Sequence, residues 1–271
     1  MPSTREMLEE IQRGNPLLVT RWHSQWLEMS EEERFELLRE QRAAIQPVLD
    51  ALIFGLVKKQ RVGRVSASAL GGCKRKALFS FAGAPRVGDD PDSLDLMSMG
   101  THDHMWWQIE GVAMGWIEDV EPFVGYDPET GGDPLAGGLV GGSIDGAGTD
   151  VKLFELKTVR ESKYTKIVQV NNEPDFEHLI QFDFYGDQLG VDVGSLVYQE
   201  RGGGSYHEYR VERTPRTSRM RLAIVEELGN HISDDTLPKM LEDCELKQGY
   251  TYRSCPFRKH CPKATTVTVK G

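Results

Sequence analysis

The stretch LVGGSIDGAGTDVKLFELKT, residues 139–158, decides how this chain is read. Its halves, LVGGSIDGAG and VKLFELKT, read as neighbouring strands joined by a tight turn around Gly148, Thr149 and Asp150. Alternation along the second strand sends Phe154 and Leu156 to one face and Glu155 and Lys157 to the other. Nine residues separate Asp145 from Glu155, a gap that a short hairpin closes, so the two carboxylates are expected to face each other with Lys157 one step along. Carboxylates at close range repel unless a cation lies between them, which points to a hard divalent ion, Mg2+ or Mn2+. Lysine beside such an ion suits the orientation of a water or the negative charge that builds up on a phosphate. On these three residues alone, a surface hairpin with a cross-strand ion pair stays open.

Helices are expected on both sides of this pair. Residues from about 97 to 115 contain GTHDHMWWQIEG, in which His102 and His104 are too close to share one helical face. Downstream, a helix over about 174–189 opens with Pro174 at a plausible first position. It carries Gln181 and Tyr185, four apart and so stacked on one side, beside an apolar stripe of Phe176, Leu179, Ile180 and Phe184. Two further strands, GSLVYQER and SYHEYRVER, meet at a glycine turn, and a last helix covers about 215–230. The first sixty residues read as helical, with Ser30 and Glu33 in a capping-box pattern and Pro47 expected to kink or split the run. A loop with Pro85 and Pro91 is expected between Cys73 and the next helix. This order of elements predicts an α/β fold with a mixed central sheet flanked by helices.

Hydrophobic residues make up 39% of the 271, enough for a sizeable core, and no run of eighteen apolar residues reads as a membrane span. The start, MPSTREMLEEIQRG, lacks the apolar centre of a signal peptide, so a soluble, cytoplasmic protein with no membrane partner is expected. A net charge of −10 argues against nonspecific coating of nucleic acid. Three stretches are nevertheless locally basic: KKQRVGR (58–64) with KRK (74–76) after it, KTVRESKYTK (157–166) and RVERTPRTSRMR (210–221). Each reads either as a solvated face or as part of a phosphate-tracking channel. The four cysteines are Cys73, Cys244, Cys255 and Cys261, three of them within a short C-terminal span. In an intracellular chain, such clustering points to a metal before a disulfide. Four thiolates suit tetrahedral zinc or a 4Fe–4S cluster, and His260 keeps a three-cysteine, one-histidine zinc site open.

Taken in order, these residues resemble the RecB-like branch of the PD-(D/E)XK nuclease superfamily. They are most similar to its iron–sulphur exonucleases of the CRISPR-associated and phage-recombination kind. The resemblance spans about residues 65–262. SASALGGCKR resembles the opening segment with the first cluster cysteine, and GTHDH the segment ending in a metal-binding histidine, which favours His104 over His102. SIDG and FELK resemble the acidic residue and the E-x-K element, QFDFY the Q-x-x-x-Y motif, and CPFRKHC the terminal cysteine pair. One departure is the spacing before Cys255. The family places two residues between its second and third cysteines, which would put a cysteine at Tyr252, whereas here ten residues lie between Cys244 and Cys255.

The resemblance implies a restriction-endonuclease-like core over 63–235 and a cluster-binding tail over 236–271, while the helical N-terminal extension over 1–62 is a second departure with no counterpart in the family. It implies His104, Asp145, Glu155 and the Leu156 carbonyl as ligands of Mg2+ or Mn2+, and Lys157, Gln181 and Tyr185 as further site residues. Cys73, Cys244, Cys255 and Cys261 would hold a structural 4Fe–4S cluster, with Zn2+ as the alternative. The implied activity is a DNA exonuclease acting on single-stranded ends. A structure-selective endonuclease has the same site, and a non-catalytic DNA-binding or scaffold subunit would have lost an acidic ligand or the lysine. Implied partners are DNA and proteins of recombination or CRISPR adaptation; an oligomer and a phage-encoded origin are compatible with this reading.

Overall fold

The computed structural model describes residues 17–55, 62–87, 91–125, 139–202 and 204–268. The polar stretch at 1–14 and residues 58–61 of the first basic run lie outside these. The fold is α/β, with mixed sheets flanked by helices. Three helices come first: α1 (Leu18–Glu28), α2 (Glu31–Glu40) and α3 (Arg42–Gly55). Ser30 and Glu33 form the expected capping box on α2. Pro47 does not divide the run. The break falls at Gln41, and α3 continues through the proline because Ile45 and Val48, both buried, anchor it on either side. One lost ladder bond costs less than unburying those side chains.

Next come β1 (Val65–Ser66), a 3-10 turn (Ala67–Ala69), α4 (Lys74–Phe81) and α5 (Pro91–Ala113). Pro91 belongs to the first turn of α5 rather than to the preceding loop, a position where its missing N–H leaves no bond unmade. Short strands follow: β2 (Asp119–Val120), β3 (Phe123–Gly125), β4 (Val140–Ser143), β5 (Gly146–Ala147) and β6 (Phe154–Val159). Then come α6 (Glu161–Tyr164), a π-helix (Thr165–Asn171), α7 (Phe176–Leu189), β7 (Val193–Glu200), β8 (Tyr206–Glu212) and α8 (Pro215–Ser233).

The five-stranded sheet runs β2-β5-β6-β7-β8, with β6 and β7 parallel and the other pairs antiparallel. A three-stranded sheet runs β1-β4-β3. The expected single strand over 139–148 is therefore two, because the chain leaves the small sheet after Ser143 and joins the large one at Gly146. Asp145 stands at that switch. The parallel β6–β7 pair needs a crossover, and α7 supplies it. Phe154 and Leu156 point to a cluster with Trp107 and Trp116, while Val159 joins the cluster under α7, so both faces of β6 are covered.

Helix α1 is part of this core. Its Val19 and Trp26 are fully buried beside Phe154 and Leu156. Two buried carboxylates fasten it: Glu208 of β8 accepts from the Thr20 N–H at 3.0 Å, and Glu110 of α5 lies 2.5 Å from His23 Nδ1. The His23 ring stacks on Trp107 at 4.4 Å. Burial raises both carboxyl pKa values above the usual 4.5, against the pull of His23 and Arg34 on Glu110 and of Ser195, the α1 amides and Arg210 on Glu208. The native state then holds protons that the unfolded chain releases near pH 4.5, so stability falls as pH rises through the folded values. Thermal melts from pH 4.5 upward are expected to show that fall, with Glu110→Gln flattening it. A flat wild-type profile would refute the assignment.

Candidate active site and cysteine cavity

The charged face of β6 is covered. Glu155 is 3% exposed and lies under α7, whose residues 180–186 are all buried. Gln181 occupies the middle of a continuous chain of bonds. Its Nε2 donates to Glu155 Oε1 at 2.8 Å and to the Tyr185 hydroxyl at 3.1 Å, and its Oε1 accepts from Lys157 Nζ at 2.7 Å. Lys157 also donates to Glu155 Oε1 at 2.6 Å. The Tyr185 hydroxyl donates to the Ser143 carbonyl at 2.8 Å. That approach requires glycine at 142, where a Cβ would stand 2.8 Å from the Tyr185 oxygen.

Asp145 closes the other side. Its Oδ1 is 3.0 Å from His104 Nδ1, and its Oδ2 accepts the Leu156 N–H at 2.7 Å. The structure thus ties Leu156 to the site through its N–H. His102 points elsewhere, with Nδ1 3.0 Å from the Ser98 carbonyl. Sequence reading missed Gln108, which donates to the Asp145 carbonyl at 3.0 Å and is 2% exposed. Its signal was its place four residues after His104 on one helical face.

Burial dominates the electrostatics of this cluster. Burial, with repulsion from Asp145, pushes Glu155 up to about 7 despite the Lys157 ammonium. Burial would raise Asp145 as well, but His104, Lys157 and the Leu156 N–H together hold it below the usual carboxylate range. His104, drawn down by burial, is lifted above its ordinary value by Asp145 and Glu155. Glu155 Oε2 is buried without a hydrogen-bond partner. A divalent ion would fill that need and let both carboxylates ionise. As they stand, His104, Asp145 and Glu155 do not bring three ligand atoms within 4.8 Å of one another. Among the described residues, Asp175, Glu177 and His178 do, but Lys163 Nζ already sits 2.8 Å from Asp175 and 3.0 Å from Glu177. An ammonium occupies the place a metal would take.

The basic stretch 210–221 serves partly internal ends. Arg221 is 2% exposed and donates to Asp183 Oδ2 at 2.7 Å, while Arg213 donates to Asp187 at 2.6 Å. Lys163 is likewise engaged, in the pairs just described.

The four cysteines, all as free thiols, line one small cavity although they come from distant segments. Cys73 precedes α4, Cys244 lies in α9 (Glu242–Glu245), Cys255 follows α10 (Gly249–Arg253), and Cys261 starts a 3-10 turn. Arg75, two residues after Cys73, clamps the tail by donating to the Pro238, Cys261 and Ala264 carbonyls at 3.0–3.1 Å. Burial and the other three cysteines raise the Cys244 thiol. Tyr252 lines the same cavity. His260 is not among the lining residues and packs edge-on against Phe79 at 4.9 Å. No three of the sulfurs lie within 4.8 Å of one another. In tetrahedral zinc, Zn–S bonds of about 2.3 Å would hold them roughly 3.8 Å apart. A single zinc ion would draw the sulfurs inward from these positions.

No family model matches the chain, and no curated protein matches it. Similar solved structures include SSO0001, at TM-score 0.45 and 14% identity over 82% of this chain and 95% of that one. LHK-Exo, an alkaline exonuclease from Laribacter hongkongensis, gives TM-score 0.44 and 16% identity over 64% of this chain and 92% of that one. The same exonuclease in complex with dAMP gives the same values. Among the described residues, no helix is long and apolar enough to cross a membrane.

Proposed function

We propose that this protein is a divalent-metal-dependent deoxyribonuclease of the RecB-like iron–sulphur kind, acting as an exonuclease on single-stranded ends. The observation that carries the reading is the covered Glu155–Lys157–Gln181 cluster beside Asp145, with one buried carboxylate oxygen lacking a partner. A solvated hairpin with a surface ion pair would not bury Glu155 or surround it with Gln181 and Tyr185.

His104, Asp145 and Glu155 would hold Mg2+ or Mn2+, with the Leu156 carbonyl as a further oxygen. Such an ion supplies Lewis acidity at a phosphate and lowers the pKa of a water. Lys157 carries an ammonium on the same face, suited to the charge that develops on a phosphate oxygen. Gln181 fixes that ammonium by accepting from it, and Tyr185 fixes Gln181 in turn. Tyr185 stays a neutral donor, since burial and then Glu155 push its pKa upward.

Cys73, Cys244, Cys255 and Cys261, which line one cavity, would hold a structural 4Fe–4S cluster that ties Cys73 to the C-terminal tail. Protein purified without oxygen is expected to be brown and to absorb visible light, and Cys255→Ser to lose the colour; a colourless protein carrying stoichiometric zinc would reject the cluster. Activity is tested by digesting end-labelled linear and circular single-stranded DNA with Mg2+ or Mn2+. Release of short products from the linear strand alone is expected. Cleavage of the circle would make the protein an endonuclease, and inertness toward both would end the nuclease reading.

A further inference from the structure

Beyond Phe154, the edge of β6 that faces away from β7 pairs with no other strand among the described residues, since β5 meets it only at Gly146 and Phe154. The ladder fixes which groups look out from that edge. The Ser195 N–H donates to the Leu153 carbonyl and the Arg201 N–H to the Val159 carbonyl, each at 2.8 Å, so the odd-numbered residues of 153–159 turn toward β7. Leu156 and Thr158 therefore turn their backbone groups to the open edge. The Leu156 N–H meets Asp145 there, and the Thr158 carbonyl accepts from Arg201 Nη2 at 3.1 Å. The guanidinium thus stands one strand repeat, about 6–7 Å, along the edge from the backbone of Leu156. Successive phosphates of an extended nucleic-acid strand have a comparable spacing.

Arg201 follows β7 and reaches this edge from the side of α5. Its Nη2 lies 3.4 Å from Thr158 Oγ1, and a Cβ at Gly100 of α5 would stand 3.0 Å from that oxygen and 3.7 Å from Nη2. His104, which reaches Asp145, is four residues after Gly100 and so on the same helical face. Asp103, beside it, leaves Arg201 unpaired: its Oδ2 is buried without a hydrogen-bond partner. Burial raises the Asp103 carboxyl above its ordinary value, against the pull of His104, Arg201 and His102, so these charges share one neighbourhood. Arg201 is half-buried, and only Nη2 of its guanidinium forms hydrogen bonds among the described residues. Its planar fork keeps donors to spare, in the geometry that suits a phosphate.

We propose that Arg201 grips the phosphate next to the cleaved one and so holds the substrate strand in register along the open edge of β6. The grip rests on the nuclease reading and deepens it, because a contact to a neighbouring phosphate positions the strand without reading its bases.

The test uses the full chain with a short single-stranded oligodeoxynucleotide, the same oligonucleotide with one uncharged methylphosphonate linkage at each uncleaved position in turn, and bis(p-nitrophenyl) phosphate, which has a single phosphate. For wild type, an uncharged linkage beside the cleaved bond is expected to lower kcat/KM at least tenfold. R201Q is expected to lose about the same factor on the unmodified strand, mostly through KM, and to ignore the uncharged linkage. It should be slowed far less on bis(p-nitrophenyl) phosphate than on DNA. R201K, which keeps the charge without the fork, should recover part of the loss and part of the sensitivity. R201Q as fast as wild type on DNA, still sensitive to the uncharged linkage, or slowed equally on the ester would overturn the grip. Wild type active on both substrates but blind to every uncharged linkage also overturns it, and leaves the nuclease reading standing. Wild type inert to both removes that reading, and the grip with it.

Discussion

Lys157→Ala is expected to slow DNA hydrolysis about 10²- to 10³-fold, the usual loss when one preorganised charge donor to a transition state is removed. Asp145→Asn is expected to cost at least as much, since it weakens the hold on the divalent ion and the several kcal/mol that ion contributes. The two variants should differ elsewhere. Asparagine keeps an oxygen for the Leu156 N–H, so Asp145→Asn should fold normally. Its melting temperature should no longer rise when Mg2+ or Mn2+ is added, whereas that of wild type should. Lys157→Ala should still respond to the ion, because His104, Asp145 and Glu155 all remain. It also removes the cation beside Glu155, a carboxylate already raised to about 7, and Glu155 then keeps its proton still more firmly. Single-turnover digestion together with melts in the presence and absence of metal would separate these effects. Wild-type rates in both variants would rule out the proposed site.

The second large effect concerns stability and lies on the back of α7. Asp183 is 1% exposed and accepts from Arg221 at 2.7 Å, Ser218 at 2.8 Å and Thr217 at 3.1 Å. It sits two residues from both Gln181 and Tyr185, so the bonds that anchor it to α8 fix the rotation of the helix carrying them. Arg221→Ala leaves a buried carboxylate without its main counter-charge and is expected to destabilise the fold by about 3–5 kcal/mol. For a domain of this size that is a fall of roughly 10 °C in Tm. Replacing both partners, as in D183N/R221M, removes the stranded charge and should recover most of the loss. If the single variant melts within a degree or two of wild type, or if the double variant melts lower still, α7 is not held in this way.

The local parts of the site were legible because they depend on short spacings. Alternation placed Glu155 and Lys157 on one face of β6, and a four-residue step placed Gln181 beside Tyr185 on α7. His104 was separable from His102 by the resemblance, and in the structure it is His104 that reaches Asp145. The hairpin reading brought Asp145 toward Glu155, and β5 and β6 do pair antiparallel with Gly146 opposite Phe154, but it missed the change of sheet. Asp145 lies between two sheets, and its carboxylate meets the backbone of β6 through the Leu156 N–H. No periodicity encodes a strand that changes sheets after four residues.

The basic stretch 210–221 shows the opposite failing. Composition could not tell exposed arginines from Arg221, whose partner lies 38 residues away. Nor could composition tell that Val19 and Trp26 of helix α1 are buried with Phe154 and Leu156 behind β6.

By itself the sequence determined which chemistry was on hand: the carboxylates, the lysine, the glutamine–tyrosine step and the four thiols, with the α/β order of elements that carries them. Only the tertiary structure decided what covers them. Whether Glu155 and Lys157 meet water or α7 depends on contacts across the sheet, and the same two side chains are an idle surface pair in one case and part of a buried, hydrogen-bonded cluster in the other. Burial is a property of neighbours brought from far along the chain. Here α7, α1 and the C-terminal tail are those neighbours.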